Sequence, residues 1–93
     1  MASTLPVRWT PRALNDLEDI RDYIAVDRPL AAERMKRRLV EVSDRLTHLP
    51  ARGRAVGVSR ELLVVRPYVI RYRITVEAVV ILGVRRSQRR PVG

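Results

Sequence analysis

Tyr68-Val69-Ile70-Arg71-Tyr72-Arg73-Ile74-Thr75 is the stretch that decides the fold. Tyr68, Ile70, Tyr72 and Ile74 fall on one side of a period of two, and Val69, Arg71, Arg73 and Thr75 on the other. That alternation is the mark of a β-strand with one buried and one exposed face. Its apolar side needs a covering layer. Its other side carries arginine and reads as open.

The flanks extend the strand into a sheet. Glu61–Val65 upstream is rich in Leu and Val, and Pro67 separates it from the central strand. Downstream, Val76-Glu77-Ala78 reads as a tight turn into a second apolar run, Val79–Val84. Ser87–Gly93 reads as a short basic tail with Pro91. Near the start, Leu5–Trp9 places Val7 and Trp9 on one face and Arg8 on the other, the pattern of a short strand.

The covering layer lies between these strands. Thr10-Pro11 suits a helix start, with Thr as N-cap and Pro at the first helical position. Ala13, Leu14, Leu17, Ile20 and Ile24 then recur at steps of three and four, ending near Val26. Asp27-Arg28-Pro29 breaks the pattern. Met35, Leu39, Val42, Leu46 and Leu49 form a second stripe, which Pro50 and Gly53 end. Two amphipathic helices with a short connection fold back as a hairpin. The sequence therefore predicts an α+β domain over residues 1–93 in the order β-α-α-β-β-β. The helical hairpin packs on one face of a mostly antiparallel four-stranded sheet.

Charge sharpens this picture. The first fifty residues carry nine Arg or Lys and eight Asp or Glu. The remaining residues carry ten Arg and two acids, Glu61 and Glu77. Nearly all of the net +9 therefore sits on the strands and tail. Like charges on neighbouring strands repel, so such an excess does little for folding and suggests a surface that meets an anionic partner. Arg71 and Arg73 lie on the open face of the central strand, and Arg60, Arg66, Arg85 and Arg86 reach the same region or its rim. Arginine suits bidentate contacts to phosphate or carboxylate.

Other chemistries find little support. The absence of cysteine excludes disulfides, thiolate nucleophiles and Cys-based zinc sites. No residue pattern calls for a metal or cofactor. The longest apolar runs are far short of the ~20 residues of a membrane helix, which points to a cytoplasmic protein with no membrane partner. The only histidine, His48, falls at the end of the second helix and reads as a surface residue. Trp9 reads as an anchor at the core edge. Glu61 could serve as a base, but a salt bridge to an arginine is the favoured reading. Tyr68 and Tyr72 could act as acid–base groups only with strongly lowered pKa values, and their alternation places them in the core.

Several segments together resemble the ParE/RelE superfamily of toxin–antitoxin toxins. Trp9-Thr-Pro-Arg-Ala-Leu-Asn-Asp-Leu-Glu-Asp-Ile and Tyr23-Ile24-Ala25 resemble its first helix, and Asp27-Arg-Pro-Leu-Ala-Ala the start of its second. Leu49-Pro50 with Gly53-Arg54 resembles the following loop. Arg60-Glu61-Leu62, Pro67-Tyr68-Val69-Ile70, Tyr72-Arg73-Ile74 and Val80-Ile81-Leu82-Gly83-Val84 resemble its last three strands. The likeness runs from about Val7 to Arg90, and the order and spacing of the segments carry it.

The resemblance implies a small toxin held inactive in a hetero-oligomer by a ParD-like or similar antitoxin. ParE-like members poison DNA gyrase, and RelE-like members cleave mRNA on the ribosome. The Pro67-Tyr68-Val69-Ile70 segment and the long hairpin resemble the ParE branch. At the end of the last strand, where the superfamily often carries His or Tyr, this chain reads Val84-Arg85-Arg86-Ser87. Arginine there favours gripping an anion over cutting one. The surface expected to meet target or antitoxin is Arg60, Arg66, Arg71, Arg73, Arg85 and Arg86. Were there catalysis, Arg71, Arg85, Arg86 and Tyr68 would be its candidates.

Overall fold

In the computed structural model, residues 4–87 are described. Strand β1 (Val7–Trp9) leads into helix α1 (Pro11–Ala25), which is followed by helix α2 (Pro29–Asp44). Strands β2 (Arg54–Val56), β3 (Ser59–Val65), β4 (Tyr68–Ile74) and β5 (Val79–Arg86) complete the chain. The sheet runs β1-β5-β4-β3-β2. Its β1–β5 pair is parallel and the other three are antiparallel.

The expected order holds, with a fifth strand added. Arg54–Val56 is too short and too exposed to show alternation in sequence. It exists because it pairs with β3 across a two-residue turn, Gly57-Val58. Gly57 takes φ +58° there, which glycine adopts without steric cost and which suits a tight hairpin.

Helix α1 starts as its sequence dictates. The Thr10 side chain accepts the Ala13 N–H at 3.0 Å and Pro11 occupies the first turn. The Thr10 N–H also donates to the Ile81 carbonyl, so the cap joins the helix to β5. Ala13 and Leu17 are buried and Ile20 and Ile24 pack against the core, but Leu14 is half exposed. Helix α2 differs from expectation at its end. After Asp44 the backbone tightens into a 3₁₀ turn at Arg45–Thr47, and another follows at Pro50–Arg52. The change of pitch rotates the seam. Leu39, Val42 and Leu46 stay buried, while Leu49, expected on the same stripe, turns out to solvent.

The core lies between the hairpin and one face of the sheet. Tyr68, Ile70 and Tyr72 from β4 meet Val79, Ile81 and Val84 from β5, with Leu39 and Leu46 from above. Trp9 packs at the edge of this cluster. Two register shifts shape the sheet, one at Leu63/Val65 in β3 and one opposite Arg71/Tyr72, where Leu82 is the extra residue of β5. Asp16 of α1 closes the second. Its carboxylate accepts the Val84 N–H at 3.0 Å, beside Gly83.

Candidate interaction face

Residues directly opposite in a β-ladder project to the same side. The register therefore assigns every strand arginine to a face. On the open side, one rung runs Arg8–Val80–Arg73 across β1, β5 and β4. The next runs Arg71–Glu61–Arg54 across β4, β3 and β2. A third runs Arg85–Val69–Leu63. Of the expected residues, Arg71, Arg73 and Arg85 share this face. Arg66 stands at its rim, in the turn between β3 and β4.

The other two expected residues go elsewhere. Arg60 pairs with the fully buried Tyr72 and projects to the helix side. Its guanidinium donates to the Gly53 carbonyl at 2.7 Å and to the Ala51 carbonyl at 3.3 Å. It clamps the loop after α2. Arg86 pairs with Tyr68 and so also points to the helix side, exposed at the strand end. Arg8 and Arg54, not among the expected residues, join the open face. The alternation around Arg8 was readable, but placing it beside Arg73 needed the parallel β1–β5 register.

Glu61 is the only acid among the residues of these three rungs, and it is held in place. Its carboxylate accepts from Arg85 at 2.9 Å and lies 3.7 Å from the Arg54 guanidinium. The hydrogen bond from Arg85 lowers the Glu61 pKa. Burial opposes that shift, and the charges of Arg85, Arg54 and Arg71 add to it. Glu61 is thus a weakened base, locked in the salt bridge its sequence suggested. Tyr68 and Tyr72 are buried, as the alternation required. The Tyr72 hydroxyl donates to the Pro50 carbonyl at 2.6 Å and accepts the Gly53 N–H at 2.7 Å. His48 is exposed beyond α2.

Beside Glu61 the face is concave. A cleft of about 490 Å³ is walled by Arg54, Arg66 and Arg85 and floored by Leu63, Pro67 and Val69. Among the described residues no group of three or more His, Cys, Asp or Glu could hold a metal ion. No described helix is long and apolar enough to cross a membrane. The helical layer carries exposed apolar residues of its own: Tyr23, Val26 and Leu30 cluster in sequence around the bend between α1 and α2.

The sequence model of the family described as the ParE toxin of type II toxin–antitoxin system, parDE, matches residues 7–91. The chain belongs to this ParE toxin family. Among its relatives is Toxin RelE2 of Caulobacter vibrioides, 51% identical over 84 residues, which cover 89% of this chain and 96% of that protein. A putative toxin, Y4kP of Sinorhizobium fredii, is 38% identical over 88 residues, covering 91% and 92% of the two chains. A solved structure described as a chromosomal ParDE TA system from P. aeruginosa superposes with a TM-score of 0.81 at 25% identity, covering 91% of this chain and 98% of that one. As a ParE-family member the protein is a type II toxin, with the fold the strand and helix patterns predicted.

Proposed function

We infer that this ParE-family toxin arrests growth by binding DNA gyrase in the cytoplasm, and that a cognate antitoxin neutralises it by forming a hetero-oligomer. The observation carrying the gyrase reading is the makeup of the open face. Its three rungs offer five arginines and no histidine, and their one carboxylate is engaged by Arg85. Cleaving RNA requires a base for the 2′-hydroxyl, an acid for the leaving oxygen and cations for the phosphate. The cations are present and the proton-transfer groups are not, so the face is suited to grip. An acidic, amphipathic antitoxin segment has complementary features to meet: arginines on the sheet and exposed apolar side chains on the helical layer.

The test is supercoiling by purified gyrase. Supercoiling should fall, or cleaved DNA accumulate, as toxin is added, and the antitoxin should restore activity. Gyrase untouched at large molar excess of toxin rejects this reading.

A second reading, a ribosome-dependent mRNA endonuclease, draws on one geometric feature and one name. Glu61 lies next to Arg71 in register and against Arg85, a carboxylate with cations beside it. The relative from Caulobacter vibrioides is called RelE2. This reading requires cleaved transcripts in a translating extract, lost on Arg71→Ala or Arg85→Ala. Intact transcripts during growth arrest eliminate it.

A further inference from the structure

We propose that the cleft on the open face is a phosphate-binding site that Glu61 keeps closed, its carboxylate occupying Arg54 and Arg85 until a phosphodiester or nucleotide phosphate displaces it. The proposal holds whichever target the toxin poisons.

The cleft carries a charge imbalance. Arg54, Arg66 and Arg85 come from three separate elements and converge on one concavity, and Arg71 stands outside its lining, directly opposite Glu61 in the ladder. Guanidinium groups repel each other, so convergence needs a counter-anion. Glu61 is the one carboxylate in the cleft wall. It pairs with Arg85 and Arg54, while Arg66 and Arg71 form no salt bridge among the described residues. Three guanidinium groups of the cleft, with Arg71 beside it, thus share one carboxylate, and the excess awaits a second anion.

The geometry selects the kind of anion. A planar carboxylate is already served from two sides, by Arg85 and Arg54. A tetrahedral phosphate offers oxygens in further directions and can take Arg66 and Arg71 as well. The cleft volume of about 490 Å³ exceeds that of a bare phosphate. Its floor of Leu63, Pro67 and Val69 is apolar, and Leu63 is half exposed. Such a floor gives a sugar or base a dry surface beside the charged wall. On the arginine side release costs little, because Arg54 and Arg85 are 77% and 52% exposed and water can take over their charge, while Glu61, 17% exposed, swings outward into solvent. Glu61 therefore does two things: it holds the arginines converged without a ligand, and it must move aside for one. It also lowers affinity for every anion, which makes its removal the diagnostic change.

The experiment uses the full chain, with amide and arginine side-chain resonances followed by NMR. Inorganic phosphate is titrated first, then short single-stranded DNA and RNA oligonucleotides, then a polyglutamate peptide of matched charge. Phosphate should shift β3, the β3–β4 turn and the end of β5, leaving the helical hairpin unmoved. Oligonucleotides should bind more tightly than the peptide, and DNA against RNA distinguishes the source of the phosphate. Glu61→Gln should tighten binding several-fold. Arg66→Ala, which breaks no salt bridge among the described residues, should weaken it and lower the salt dependence by about one phosphate contact. Three results would overturn the proposal: no shift with phosphate, equal affinity for polyglutamate, or unchanged affinity in Glu61→Gln. Gyrase inhibition is scored separately, so loss of one reading leaves the other testable.

Discussion

Gly53 and Tyr72 lie 19 residues apart and share one hydrogen bond, the Gly53 N–H donating 2.7 Å to the Tyr72 hydroxyl. The hydroxyl in turn donates to the Pro50 carbonyl at 2.6 Å. Arg60 takes the Gly53 carbonyl from the other side. The loop between the helical layer and the sheet is therefore clasped through its backbone, and Gly53 has no room for a side chain. A Cβ there would stand 2.7 Å from the hydroxyl and 2.8 Å from the ring. Gly53→Ala should destabilise the fold by roughly 1–3 kcal/mol, since a well-packed ring must shift. Tyr72→Phe should cost about 1–3 kcal/mol through the buried polar groups it strands. Urea denaturation midpoints measure both. A wild-type midpoint in either variant would mean that the clasp is not under load.

Gly83 offers a contrast. A Cβ at Gly83 would meet the Asp16 carboxylate at 2.9 Å. That atom is the end of a side chain that can rotate, and the Tyr72 ring cannot. Gly83→Ala should therefore cost less than Gly53→Ala. Asp16→Ala removes the partner of the Val84 N–H at the β5 bulge and should cost about 1–3 kcal/mol. The same denaturation series ranks all three, and a larger loss for Gly83→Ala than for Gly53→Ala would contradict the packing argument.

The elements with strong periodicity were legible in the sequence, because their signal is local. Tyr68–Ile74 alternates because the helices bury one face of it, and α1 begins where Thr10 and Pro11 say it should. The features without a local signal depend on distant pairing or on a change of pitch. Strand β2 exists only through its register with β3. Leu49 leaves the α2 seam because the backbone tightens after Asp44. This yields a sharp comparison: Leu39→Ala should cost about 2–5 kcal/mol as a buried cavity, and Leu49→Ala should stay within about 0.5 kcal/mol as a surface change. Comparable losses at both positions would place Leu49 back in the core.

The candidate face was half legible for a similar reason. Alternation gave Arg71 and Arg73 their side of β4, but no local pattern could assign Arg60, whose neighbours Glu61–Val65 are mixed. Register sends Arg60 inward to the Gly53 loop and brings Arg8 and Arg54 outward. The two groups should separate on mutation. Arg60→Ala should lower the denaturation midpoint, through lost bonds worth roughly 1–3 kcal/mol. Arg71→Ala with Arg73→Ala should leave stability within about 1 kcal/mol of wild type and abolish growth arrest on induction. Arg37→Glu with Arg38→Glu, on the exposed side of α2, should leave growth arrest intact. Full toxicity in the Arg71/Arg73 pair would remove the open face from the mechanism.

Glu61 makes the face sensitive to acid in a predictable direction. Its carboxyl is held below the usual value of 4.5, first by the hydrogen bond from Arg85 and then by the charges of Arg85, Arg54 and Arg71. A carboxyl with a depressed folded-state pKa adds stability above its unfolded pKa and loses it as pH falls through the folded value. The Arg85–Glu61 pair should thus contribute fully at pH 6 and fade progressively below about pH 4.5. Arg85 is half exposed and its solvent screening keeps the contribution to about 1 kcal/mol, although the Glu61 side chain is only 17% exposed. Glu18, lowered in the same sense by its hydrogen bond from Lys36, titrates alongside it, so the wild type alone cannot isolate Glu61. The difference between wild type and Glu61→Gln can, because Glu18 is common to both. Melting temperatures of the two proteins should differ most near pH 6 and converge toward pH 3. A gap that widens on acidification would mean the carboxylate is not held by Arg85 in solution.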